Sequence, residues 1–155
     1  MRYIDCTLGR ELTEEEIAAL PPEPVPTLAE AKAALKAAVR THQASMFAGG
    51  WAHDFGEAGV HTLDLRDADD KANWTLLLFK VTGMVGAGAG AFPVTLRTAA
   101  NETISISAAE TQAVMGAFLQ WGESMLAAKW ALDNQIDDAA DEAALGAIDI
   151  MAGWP

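Results

Sequence analysis

Apolar residues recur along most of this chain with a helical period, interrupted twice by stretches that alternate with a period of two. Leu28, Leu35, Val39, His42 and Met46 fall on one helical stripe, the spacing that lines up one face of a 3.6-residue turn. Thr27 and Glu30 form a capping box ahead of the stripe, and Gly49-Gly50 stop it, so the pattern predicts a helix over 28–48. WAHDFGEAGVHTLDL then alternates. With 56–60 as a loop, Trp51, His53 and Phe55 share a face with His61, Leu63 and Leu65, while Ala52, Asp54, Thr62 and Asp64 face water. A slip of one residue would mix the two faces, so this register is the expected one.

The same unit recurs downstream. Asp67 to Asp70 place carboxylates at a helix N-terminus, where free amides and the macrodipole favour them. Trp74, Leu77, Leu78, Val81, Met84 and Val85 follow with helical spacing, ending near Gly83 or Gly86. PVTLRTAANETISI reads as a second hairpin with 98–102 as its loop. Val94, Leu96, Ile104 and Ile106 then lie on one face, and Thr95, Arg97, Thr103 and Ser105 on the other. Ser107 and Glu110 form another capping box. It opens the longest helix, with Val114, Phe118, Trp121, Met125, Leu132 and Ile136 inward; a short helix over roughly 141–149 precedes the terminal Gly153-Trp154-Pro155. The order helix, hairpin, helix, hairpin, long helix, short helix predicts an α+β domain over 27–155, its helices packed on a small antiparallel sheet of two hairpins.

The first 26 residues differ. Tyr3, Ile4, Leu8, Leu12, Ile17 and Leu20 are apolar but widely spaced. Thr13 and Glu16 are placed to cap one short helix, and PPEPVP then excludes regular structure. The reading is an extended docking arm over 1–20 and a Pro-rich linker over 21–26, with those six apolar residues as candidate protein contacts.

Composition narrows the function classes. The chain has 155 residues, 51% of them apolar, and a net charge of −12. That charge disfavours nucleic acid and anionic membrane surfaces, both of which recruit clustered cations. One cysteine, Cys6, makes no internal disulfide. The N-terminus has no apolar core of a secretory leader, and no apolar run approaches the ~20 residues of a membrane helix. Folding in a cytoplasm is the expectation.

Candidate chemistry is sparse. GAGAGA invites a phosphate loop, but a helix precedes it and Phe92-Pro93 and a strand follow, the reverse of what that mechanism requires. His53 and His61 share a face without a third ligand, and zinc takes three or four. They read, like His42, as hydrogen-bonded histidines at a core edge. Cys6 sits in the arm without a base beside it, and Ser105 and Ser107 occupy no nucleophile elbow. Asp69-Asp70 and Asp137-Asp138 read as cap and surface charge. Trp51, Trp74 and Trp121 fall on inward faces, and Trp130 leaves its stripe. No catalytic residue, metal ligand or cofactor site is assigned.

The ordered set Asp67-Ala-Asp-Asp-Lys-Ala-Asn73-Trp74, Pro93-Val-Thr-Leu96, Asn101 to Glu110, Ile136-Asp-Asp-Ala-Ala, Glu142, Leu145, Ile148-Asp149 and Gly153-Trp154-Pro155 resembles a domain of unknown function. That domain is found in tailed bacteriophages and prophages, at the C-terminal end of tail-fibre-associated proteins. The resemblance covers residues ~40–155. It implies a non-enzymatic structural or accessory protein of the phage tail, at the fibre or baseplate, made in the host cytoplasm and carried in the virion. Its implied partners are other tail proteins and further copies of itself, as a trimer or hexamer. An assembly chaperone for the tail fibre is the alternative, and a small glycan hydrolase a remote one. The inward faces and the resemblance together make Trp154 a packed stopper, with Trp154→Ala expected to cost ~3 kcal/mol or more.

Overall fold

The computed structural model describes residues 4–5, 10–11, 13–18 and 25–155. In the N-terminal region, β1 (Ile4–Asp5) pairs antiparallel with β2 (Arg10–Glu11), and α1 spans Glu14–Ala18. The α1 cap is the expected one: Thr13 Oγ1 accepts from the Glu16 amide at 3.3 Å, and Glu16 Oε2 accepts from the Thr13 amide at 2.9 Å. The β1–β2 pair has no counterpart in the sequence pattern, because two residues are too few to show alternation. Of the linker expected over 21–26, residues 21–24 lie outside the described residues.

Helix α2 covers Leu28–Ala48 and α4 covers Ala108–Asp138, each opened by its capping box. Glu30 Oε2 accepts from the Thr27 amide at 2.7 Å, and Glu110 Oε2 from the Ser107 amide at 2.8 Å. These bonds hold both carboxyls below the usual glutamate range, the main cause being the Thr27 amide for Glu30 and the Ser107 hydroxyl for Glu110. Between them, β3 (Trp51–Asp54) and β4 (Val60–Leu63) flank a 3-10 turn at Gly56–Ala58. α3 spans Ala68–Gly86 behind an Asp67 cap, and β5 (Pro93–Arg97) pairs with β6 (Thr103–Ser107). α5 is Glu142–Gly146, capped by Asp141 and shorter than the 141–149 expected.

Both hairpins adopt the expected register. Trp51 faces Leu63 and His53 faces His61 in one; Val94 faces Ile106 and Leu96 faces Ile104 in the other. Each hairpin is a two-stranded ribbon of its own. A single backbone bond, Ala99 N to Thr62 O at 2.8 Å, links the tip of the second to the first. Thr62, expected in water, is partly covered where this bond is made.

Apolar side chains collect in two clusters strung along α4. The larger holds Trp51, Leu63, Val81, Val94, Leu96 and Met115, drawn from both hairpins, α3 and the first half of α4. The smaller holds Val39, Leu132, Ile136, Ala139 and Leu145, drawn from α2, the end of α4, and α5. Met125, fully buried, lies between them along the helix. α3 and α2 both run antiparallel to α4. Gln112 reaches Thr82 while Leu119 lies beside Lys71; Gln43 reaches the Met125 carbonyl while Lys36 reaches Asp137.

The C-terminal tail closes the smaller cluster. Trp154 Nε1 donates to the Ile150 carbonyl at 2.9 Å, and its ring meets the His42 ring edge-on at 5.3 Å. Part of the indole remains in water. This partial exposure corrects the expectation of ~3 kcal/mol or more: Trp154→Ala is expected to lower stability by about 2 kcal/mol. Urea unfolding checks this, and an unchanged midpoint would show that the tail is not part of the core.

Candidate functional site

The sequence-derived candidates for chemistry resolve mostly into structural roles. His53 stacks on Trp51 with ring centroids 4.4 Å apart and meets Phe55 edge-on at 5.2 Å. His61 Nε2 lies 2.6 Å from the Ala58 carbonyl, and its Nδ1 lies 3.2 Å from Glu102 Oε2. Among the described residues, His61 is the histidine whose ring is hydrogen-bonded, while His53 and His42 make ring contacts. Among the described residues, no group of three or more His, Cys, Asp or Glu is placed to hold a metal ion. Cys6 lies outside them. Asp137 pins α2 to α4: Lys36 Nζ lies 2.6 Å from its carboxylate and Lys32 Nζ 2.8 Å from its carbonyl.

The glycines after α3 close a helix. The amides of Ala87, Gly88 and Ala89 bond back to Gly83, Val85 and Met84, with Gly88 at φ 76°. The Ala109 amide bonds to the Gly90 carbonyl at 2.9 Å. The first three amides are turned onto their own helix, and none of them is offered to a phosphate.

Two surface features remain. The first is an apolar seam on α4. Gln112, Met115 and Leu119 are the positions that meet α3, and the same stripe continues at helical spacing to Leu126 and Trp130. α3 begins at Ala68, and Lys71 already lies beside Leu119, so α3 runs out before it covers the rest. Leu119, Leu126 and Trp130 are 51%, 42% and 58% exposed, and on the outer face of α3 Leu76 and Phe79 are 66% and 71% exposed. Asp133, one turn beyond on α4, binds Lys129 through one oxygen, and the other is buried without a partner among the described residues. Of the proposed arm contacts, Tyr3, Leu8, Leu12 and Leu20 lie outside the described residues, while Ile4 falls in β1 and Ile17 in α1.

The second is a polar cleft of about 410 Å³ between the N-terminal half of α3 and the tip of the second hairpin. Arg66 forks between Asp64 at 2.9 Å and Asp70 at 3.2 Å. The Arg66 guanidinium holds the Asp70 carboxyl below the usual aspartate range. Across the cleft, Arg97 donates from Nε to Asn101 Oδ1 at 2.8 Å and from Nη1 to Thr103 Oγ1 at 2.6 Å. Asn101 takes φ 64°, a left-handed turn position that asparagine tolerates. Trp74 forms part of the wall, its Nε1 donating to the Asp64 carbonyl at 2.7 Å. Sequence reading missed this cleft, because its two arginines stand about thirty positions apart and neither belongs to a motif.

The family described as Domain of unknown function (DUF4376) matches residues 30–152, and the chain belongs to it. No curated protein and no solved structure matches the chain.

Proposed function

We propose that this chain is a non-enzymatic structural or accessory subunit of a bacteriophage tail, associated with the fibre or the baseplate. It acts by holding other tail proteins. The observation that carries this reading is the exposed apolar surface on α3 and α4, where five large side chains are each more than two-fifths exposed. Large apolar side chains left exposed in this number are characteristic of protein contacts. The resemblance of residues ~40–155 to tail-fibre-associated proteins of phages and prophages supports the placement in a tail. Residues 1–20 supply a second contact, as an arm set off from the domain by a Pro-rich spacer. Association among copies, as a trimer or hexamer, uses the seam.

Deletion of residues 1–26 is expected to leave the folded domain intact and to abolish its incorporation into phage particles. Mass spectrometry of purified virions reads the result. Full incorporation of the truncated chain would end the docking idea. Absence of the intact chain from finished particles would make it an assembly chaperone instead.

A further inference from the structure

We propose that the cleft between α3 and the tip of the second hairpin binds a neutral polyhydroxylated ligand, of the class of a single pyranose sugar. The inference goes beyond the tail reading and does not depend on it. The cleft volume of about 410 Å³ lies within the roughly 300–1,000 Å³ of small-molecule sites. Its charged walls balance: two guanidiniums, Arg66 and Arg97, against two carboxylates, Asp64 and Asp70. With the whole chain at −12, an anion gains little there, and a cation meets two arginines. A neutral ligand meets neither penalty.

The polar groups are also fixed in place. Arg66 is held by two carboxylates, and Arg97 by Asn101 and Thr103, so their outward N–H groups are positioned before any ligand arrives. Asn73, exposed on α3, has no side-chain partner among the described residues and presents both a donor and an acceptor. Vicinal hydroxyls match this combination, since each is at once donor and acceptor. Trp74 and Leu77 add an apolar wall against which the C–H face of a pyranose packs.

Isotope-labelled full-length chain titrated with glucose, galactose and N-acetylglucosamine, with glucuronate and glucosamine as charged comparisons, tests this by NMR. Saturable shifts are expected at Asn73, Arg97 and Asn101 for at least one neutral sugar. The expected Kd is on the order of millimolar for so small a ligand. Asn73→Ala, on an exposed helix face, is expected to weaken binding about tenfold without changing the fold; Arg97→Ala weakens it further. Three results would overturn the proposal: no saturable shift with any neutral sugar, shifts unaffected by Asn73→Ala, or tighter binding of either charged sugar than of every neutral one.

Discussion

Leu63→Ala is expected to destabilise the protein by about 3–4 kcal/mol, the middle of the range for emptying a buried leucine site. Leu63 is fully buried and sits opposite Trp51 at the start of the first hairpin. Its side chain belongs to the larger cluster with Trp51 and Val81. The chain cannot collapse into the space, because the hairpin register and the Ala99–Thr62 backbone bond hold β4 where it is. Urea unfolding should show a lower midpoint with an unchanged slope. Val60, on the same strand but 71% exposed, is the control: Val60→Ala should change stability by less than about 0.5 kcal/mol. Equal effects at the two positions would refute the inward and outward assignment of β4.

Gly50→Ala is expected to cost about 3 kcal/mol or more, and by a different route: left-handed strain added to backbone overlap. Gly50 has φ 77°, and a Cβ there would stand 2.6 Å from the Leu63 carbonyl oxygen and 2.7 Å from Thr62 Cγ2. The oxygen is backbone in a paired strand and cannot rotate away. Gly56 separates the two components, since it has φ 67° with nothing within 4 Å of the added atom. Gly56→Ala should therefore show the conformational part alone, about 1 kcal/mol. Thermal or urea unfolding of the pair checks this. If the two substitutions cost the same, the close approach of Gly50 to β4 is not present in solution.

The elements with strong period were readable before the fold was known. The capping boxes at Thr27 and Ser107 marked helix starts to the residue, and the alternation around His53 and Leu96 gave both registers. What escaped were features made by distant parts of the chain. The short α5 ends at Gly146 although apolar residues continue to Ile150, because those residues turn back onto the smaller cluster. Thr98 is buried, its hydroxyl accepting from the Glu102 amide, yet in sequence it looks like any loop threonine. The continuation of the α4 seam past α3 depends on where α3 begins relative to Leu119, which no local pattern encodes. The family match gives membership without chemistry, so the candidate sites rest on geometry alone.

The division of the core into two clusters bears on how the molecule takes a load. α4 is a rod about 46 Å long by its 31 residues, and the larger cluster is built around its first half. The preceding chain joins at Thr27, on the smaller cluster, just ahead of the Lys32 and Lys36 bonds to Asp137. A pull delivered through residues before Thr27 meets those two bonds and the smaller cluster first; the larger cluster lies behind them. Under a load applied there, the near end is expected to yield before the hairpins do, leaving the larger cluster folded.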